Sequence, residues 1–325
     1  MNSYRRRLIA AGVAWTAVGS SATWAQNAFP TKPIQFIVPF TPGGGNDVLA
    51  RMIAPHLASR LGQPVIVDNR PGAGGNIGSQ QVVRSAPDGH TLLLATNTLT
   101  LNPFLIASIP FDVSKDFAPI ASIANQPLVV VIHPELPVKN LGELVAYLKA
   151  NPGKVSYASP GAGTPHHFAT EMFKLVANVH MVHIPYRGAA PALTDLISGQ
   201  TQVMFASIIS ALPFIRAGRI KALATAEGHR LLLLKDVPTI KESGYPSYEA
   251  TIWGGIMAAA KTPTPIVNKL ADTVLKAVAT PELTQQLETA GFEIATGGPE
   301  DLRARVRADL EQWGKVAKAI GMVPE

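Results

Sequence analysis

A three-part unit recurs along this chain: a short apolar run, a glycine-rich loop, then an apolar pattern at helical spacing. That unit confines the chain to α/β folds. Residues 34–40 read as a strand; after the loop at 41–46, Leu49, Ile53, Leu57 and Leu61 keep a four-residue spacing, and Gly62 supplies the stop. Pro55, inside that helix, predicts a kink or an early break, because it lacks an N–H for the helical ladder. Residues 64–67 and 91–96 are the next strands, with a helix near 79–86 between them. Such repeats predict a largely parallel sheet with both faces covered.

The same grammar resumes after Asn125. Residues 128–133 read as a strand, and Asn140 with Glu143 makes a capping box for a helix over 141–150. Further strands are predicted at 155–159, 180–185, 202–206 and 220–226, with helices near 165–178 and 190–198. A Pro/Gly-rich connection at 237–247 precedes a strand near 253–260. From there the tail reads as helical. Thr264-Pro265 opens one helix, and Pro299 opens the last, with Leu302, Val306, Leu310, Trp313, Val316 and Ile320 on one face. Glu300 and Asp301 at its start, and Lys315 and Lys318 at its end, complement the helix dipole.

The first 25 residues belong to a different pattern. Arg5, Arg6 and Arg7 precede an eleven-residue apolar stretch at 8–18, and small residues follow up to Ala25. This is the order of a secretory signal, with removal expected after Ala25 and an exported mature chain. The apolar stretch is too short to span a bilayer, and no later run approaches 18 apolar residues. Charge must be read with that in mind. The chain carries +6, and the three leader arginines are the only charged side chains in the segment, so the mature chain carries +3. Scattered Lys and Arg with 6% aromatics do not make a nucleic-acid surface. With 47% hydrophobic and 15% charged residues, the composition excludes disorder. The lack of any cysteine excludes disulfides, thiolate metal sites and cysteine nucleophiles.

Three loops carry the chemistry: Pro42-Gly43-Gly44-Gly45, Pro71-Gly72-Ala73-Gly74-Gly75 and Pro160-Gly161-Ala162-Gly163. Each follows a predicted strand and precedes a predicted helix. Glycines there leave backbone N–H groups open at a positive helix terminus, a ready site for a carboxylate or phosphate. Asn46, Asp47, Asn76 and Thr164 also suit plain helix caps. No loop continues into Gly-Lys-Ser/Thr, and the 72–77 stretch lacks the third glycine of a dinucleotide loop. Ser159 lacks the preceding glycine of a nucleophile elbow. His166, His167, Glu171, His180 and His183 have no metal-ligand spacing, and His180 and His183 would face opposite sides of a strand. Neither a metal nor a cofactor is expected, nor catalysis; the competing class is an exported α/β enzyme acting on an anionic substrate.

The stretches at 29–47, 68–78, 87–93, 157–164, 184–188, 236–239 and 261–263 resemble, in order, the blocks of Bug-type solute-binding receptors of tripartite tricarboxylate transporters. The similarity covers essentially the whole mature chain. It implies a type II-like two-lobe periplasmic binding protein, each lobe a mixed, mainly parallel sheet flanked by helices, joined by two crossover strands. Residues 26–125 with 245–325 would form lobe 1, and 126–244 lobe 2. It further implies a monomer that closes on a small organic carboxylate and delivers it to integral-membrane transporter subunits or a sensor. Carried over by position, Phe40, Gly43, Gly44, Gly45 and Asp47 would meet the ligand from one lobe, and Ser159, Gly161, Gly163 and Thr164 from the other. Asn97, Thr98, Phe205, Ala206 and Ser207 would form walls. Thr41 and Asn46 replace the family's usual proline and threonine beside the anion site, and His90 replaces tyrosine in a structural place.

Overall fold

Helix-spaced and strand-like segments alternate in the computed structural model, which describes residues 29–319. The secretory signal expected at 1–25 and Ile320 lie outside the described residues. The first half contains β1 (Ile34–Val38), α1 (Gly45–Leu61), β2 (Val65–Asn69), α2 (Asn76–Val83), β3 (Thr91–Thr96) and the single turn α3 (Thr98–Leu101). Then come β4 (Phe117–Ile132), α4 (Leu141–Ala150), β5 (Ser156–Ser159), α5 (Pro165–Ala177), β6 (Val182–Pro185), α6 (Ala189–Ile197), β7 (Val203–Ser207), α7 (Ile208–Arg216) and β8 (Lys221–Thr225). The chain ends with β9 (Thr251–Ala259), α8 (Thr264–Val278), α9 (Pro281–Ala290), β10 (Glu293–Gly297) and α10 (Pro299–Ala319).

The strands form one curled sheet in the order β2-β1-β3-β9-β4-β7-β5-β6, with β8 and β10 also paired to β4. The parallel pairs are β1 with β2 and β3, and β5 with β6 and β7. Every antiparallel pair involves β4 or β9. The repeating units therefore make the parallel parts, and the two long strands sew them together. From Phe117 to Pro127, β4 pairs with β9; from Leu128 onward it pairs with β7 and β8.

Two apolar clusters mark the two halves. Ile34, Phe36, Leu49, Ile53 and Leu94 pack under α1 and α8, whereas Val130, Tyr157, Phe173 and Phe205 pack under α4 and α5. In α8 the buried Val267, Leu270, Ala271, Val274 and Val278 recur at three- and four-residue spacing, the stripe that seats a helix on a sheet. Helix α10 touches both halves. Its Leu302 and Val306 join Ile37 and Leu93, while Trp313 meets Phe168 edge-on at 4.7 Å.

Four local expectations change. Pro55 does not end α1, which runs on to Leu61; Pro55 is exposed, so the Arg51 carbonyl it leaves without a partner faces water. The tail is not wholly helical, since Glu293–Gly297 adds an antiparallel strand to β4. Strand β4 starts at Phe117 rather than near 128, and α7 follows β7 with no intervening loop. Asn140 does cap α4: its side chain accepts the Glu143 N–H at 2.8 Å, and Glu143 accepts the Lys139 N–H at 2.8 Å.

Candidate functional site

Five helices aim their N-termini at one cavity of about 520 Å³. Their cap residues are Gly44 on α1, Gly75 on α2, Thr164 on α5, Gly188 on α6 and Ser207 on α7, and all five line it. The crossover strands supply Gln126 and Ile252, which are register partners between β4 and β9. The convergence follows from the fold. In parallel strand–loop–helix units every helix starts at the carboxyl end of a strand, so those ends share a crevice.

The first-half loop is built by side chains standing behind it. Asp47, 4% exposed, accepts the Gly43 N–H at 3.0 Å, the Arg51 Nε–H at 2.9 Å and an Asn69 amide hydrogen at 2.9 Å. Burial raises the Asp47 carboxyl, but the hydrogen bonds from Arg51, Gly43 and Asn69 outweigh it and hold it below the usual carboxylate range. Asn69 also donates to the Phe40 carbonyl at 3.1 Å. In the neighbouring loop, the Asn102 amide donates to the Gly74 carbonyl at 2.9 Å and to Asn76 Oδ1 at 2.7 Å.

The second-half wall is organised differently. Thr164 caps α5, accepting the His167 N–H at 3.4 Å, and its hydroxyl donates to the Gly161 carbonyl at 2.7 Å. Gly161 has φ 141°, and a Cβ there would sit 3.2 Å from the Tyr186 carbonyl, so glycine is required by both backbone and space. Beneath this loop Tyr157, His183 and His167 stack, with ring centroids 4.8 and 4.1 Å apart. Ser159 Oγ lies 2.6 Å from His183 Nε2 and accepts the Gly161 N–H at 3.2 Å. His166 faces the cavity with an unpartnered Nδ1, and burial pushes its imidazole down to about 4, leaving it neutral at pH 7.

Among the residues named from the sequence, Phe40, Gly44, Gly45, Gly161, Thr164 and Ser207 line the cavity. Gly43, Asp47, Ser159 and Gly163 do not; they belong to the loops that support the lining. Asn97 donates to the Thr251 carbonyl at 2.9 Å, and Thr98 is buried beside it; both lie off the cavity. Phe205 packs against Phe173 at 5.6 Å between ring centroids, and Ala206 lies in the core beneath α6 and α7. Both are held inside the sheet rather than at its end. Among the described residues, Arg187 is the one lining residue with a full charge, and it is exposed. Residues 71–75 and 186–189, Gln126, His166, Ser210 and Ile252 join the lining too. The first two stretches repeat the strand-to-helix glycine signal, whereas Gln126 and Ile252 meet only through long-range pairing.

His90 sits away from the cavity, edge-on to Phe29 at 4.9 Å and accepting the Thr31 N–H at 3.2 Å. Thr41 and Asn46 both reach the lining, and Asn46 accepts a hydrogen bond from the Gln126 amide.

A sequence profile described as a tripartite tricarboxylate transporter family receptor matches residues 49–322. The chain belongs to this family. The UPF0065 protein in the tcbD-tcbE intergenic region of Pseudomonas sp. (strain P51) is 38% identical over 314 residues, spanning 96% of this chain and 93% of that protein. The solved structure of R. palustris Rpa4515 with adipate matches at TM-score 0.88 and 34% identity, over 91% of this chain and 100% of the other. The periplasmic binding protein BugD matches at TM-score 0.87 and 33% identity, over 91% and 100%. The family's fold is that of two-lobe periplasmic binding proteins, and this chain has it.

Proposed function

We propose that this family member is an exported, non-enzymatic receptor that captures a small organic carboxylate in the periplasm and passes it to a membrane transporter. In this reading residues 26–125 with 245–325 form one lobe and 126–244 the other, and the chain works as a monomer once its signal is cut after Ala25. The carrying observation is the convergence of five helix N-termini on a cavity whose lining, among the described residues, holds no acidic side chain. At roughly 0.3–1 kcal/mol for an anion at a helix terminus, the termini nearest the carboxylate contribute part of the ~8 kcal/mol that a micromolar complex requires. Backbone donors to a carboxylate are charge-assisted hydrogen bonds already held in place, so little ordering cost remains on binding. The relative seen with adipate supports the same ligand class.

The enzyme reading has one geometric foothold, the contact between Ser159 and His183. Ser159 is wholly buried and off the cavity, and its hydroxyl is occupied by Gly161 and His183, so the pair has no route to a substrate. A receptor makes a direct prediction. After ligand stripping, thermal-shift screening of mono-, di- and tricarboxylates and aromatic acids raises Tm for at least one acid. A flat screen sinks the receptor, and turnover of a bound acid by purified protein replaces it with the enzyme.

A further inference from the structure

We infer that Leu105 and Trp313, both off the cavity, form a latch that joins the two halves beside the cleft and sets the affinity for every ligand without touching one. This rests on the receptor reading, in which residues 101–105 and α10 belong to one lobe and α5 to the other. Leu101 and Trp313 nevertheless belong to the apolar cluster under α4 and α5, and Phe104 and Leu105 pack against that cluster. Trp313 is 7% exposed and meets Phe168 of α5 edge-on at 4.7 Å. Phe104 lies against α10, where a Cβ on Gly314 would stand 3.2 Å from its ring. The 101–105 turn and α10 therefore reach across to α5 together. None of Leu105, Phe168 and Trp313 lines the cavity.

The position of this seam beside the cavity fixes the sign of its effect. Phe168 follows the lining residue Thr164 by one turn of α5, and its N–H donates to the Thr164 carbonyl at 3.0 Å. Gly163 is the closer link. A Cβ there would stand 3.2 Å from Asn102 Oδ1 and 3.5 Å from Leu105 Cδ1, and one on Gly74 would stand 3.2 Å from the same Asn102 oxygen. Gly74 lines the first wall, and Gly163 sits between the lining residues Ala162 and Thr164 of the second. Asn102 and Leu105 thus fill the gap between the two walls, and a movement that parts the walls must part the seam. Burial of Phe104, Leu105 and Trp313 against α5 favours the closed arrangement. Asn102 Oδ1 and Trp313 Nε1 oppose it, since both are buried without a partner and opening returns them to water. With the two tendencies opposed, the seam does not hold the lobes shut alone, and the ligand decides. Apparent affinity scales with the closed fraction, so a weakened seam weakens every ligand by one factor.

Calorimetry and stopped-flow binding on the mature chain test this with adipate, malate, citrate and benzoate. Leu105→Ala is expected to raise Kd about fivefold for each acid that binds, through faster dissociation, with the ranking of the acids kept. Trp313→Phe keeps an aromatic ring against Phe168 and so preserves the fold; it gives a smaller rise of the same kind. Fluorescence supplies a readout that a purely structural role would not move. Trp15 and Trp24 fall within the signal, so the mature chain has two tryptophans. Trp253 is 1% exposed in the first-half core, which leaves Trp313 to report on the seam. Ligand is expected to protect the unsubstituted protein from acrylamide quenching, and Trp313→Phe abolishes that protection. An unchanged Kd in Leu105→Ala, or quenching that ligand does not alter, overturns the latch and leaves the receptor standing. Tighter binding in either variant also overturns it, because the seam would then lie behind the hinge. Weakening confined to some of the acids would place Leu105 in ligand selection and overturn it too. If neither these acids nor any in the thermal-shift screen bind, the receptor reading itself falls and takes the latch with it.

Discussion

The two walls of the cavity present the same kind of surface, helix N-termini, but they are held in different ways. On the first-half wall the polar side chains are mostly spent bracing the loops: Asp47 collects Gly43, Arg51 and Asn69, and the Asn102 amide hydrogens tie Gly74 to Asn76, although Asn102 Oδ1 is itself buried without a partner. On the second-half wall His166 Nδ1, Ser207 Oγ and Ser210 Oγ are buried without partners. The first is a finished backbone cradle whose donors need no rearrangement. The second keeps its side-chain hydrogen bonds for the ligand. Affinity for any carboxylate should therefore depend on the first wall, and choice among carboxylates on the second.

Asp47→Ala breaks this contrast most severely. It removes a buried carboxylate that accepts three sets of donors, so a stability loss of about 2–3 kcal/mol is expected, read by chemical denaturation. Affinity for every acid should fall together by more than tenfold, because the Gly43 loop loses its anchor. The pH dependence follows from the lowered carboxyl. Its contribution is present above the unfolded value of about 3.9 and disappears as pH falls through the lower folded value. An Asp47→Ala protein that binds some acids normally and loses others would place Asp47 in selection and collapse the distinction between the walls.

How much of this was legible follows the range of the interactions. Helix α4 could be read from Asn140 and Glu143 because a capping box is local. The start of β4 could not, since Pro119, Asn125 and Pro127 interrupt the apolar pattern and only pairing with β9 makes 117–127 a strand. The site divides in the same manner. Gly44, Gly75 and Thr164 were visible because a glycine loop separates strand from helix at each. Ser207 drew notice only through resemblance: β7 runs straight into α7 without a glycine, and Pro213 obscures that helix. Asp47 was visible, but the sequence does not distinguish a residue that touches the ligand from one that braces the loop behind it.

A smaller effect is expected at Thr164, where the second wall has a capping bond of its own. Thr164→Val keeps the shape and removes the hydroxyl that bridges the Gly161 carbonyl and the His167 N–H. Stability should fall by about 1 kcal/mol, the usual worth of a cap, and affinity by roughly tenfold as the Gly161 loop loosens. Unchanged affinity would remove this loop from the cradle. Smaller still is Arg187→Ala. An exposed charge at the open end should mainly speed encounter, so the association rate falls severalfold and its salt dependence flattens, with little change in dissociation. A loss confined to the dissociation rate would mean that Arg187 holds the bound ligand directly.

The smallest expected effect tests whether the second wall selects with neutral groups. His166 is held down to about 4 by burial, so it neither gains nor loses charge between pH 6 and 8. Ligand affinity should be flat across that interval. Stability of the free protein behaves otherwise below it. The unfolded chain takes up the proton first, near 6.5, so the contribution of neutral His166 is intact above that value and fades as pH falls toward 4. His183, pushed down to about 4 by burial and by the neighbouring His167 and Lys174, shifts stability in the same direction. A melting temperature that declines from pH 6.5 to 4, beside an affinity constant from pH 8 to 6, would fit a wall of neutral hydrogen-bonding groups. Affinity that instead climbs as pH falls through 6.5 would show a protonated His166 in the complex. Both walls would then attract by charge, and selection by the second would need another basis.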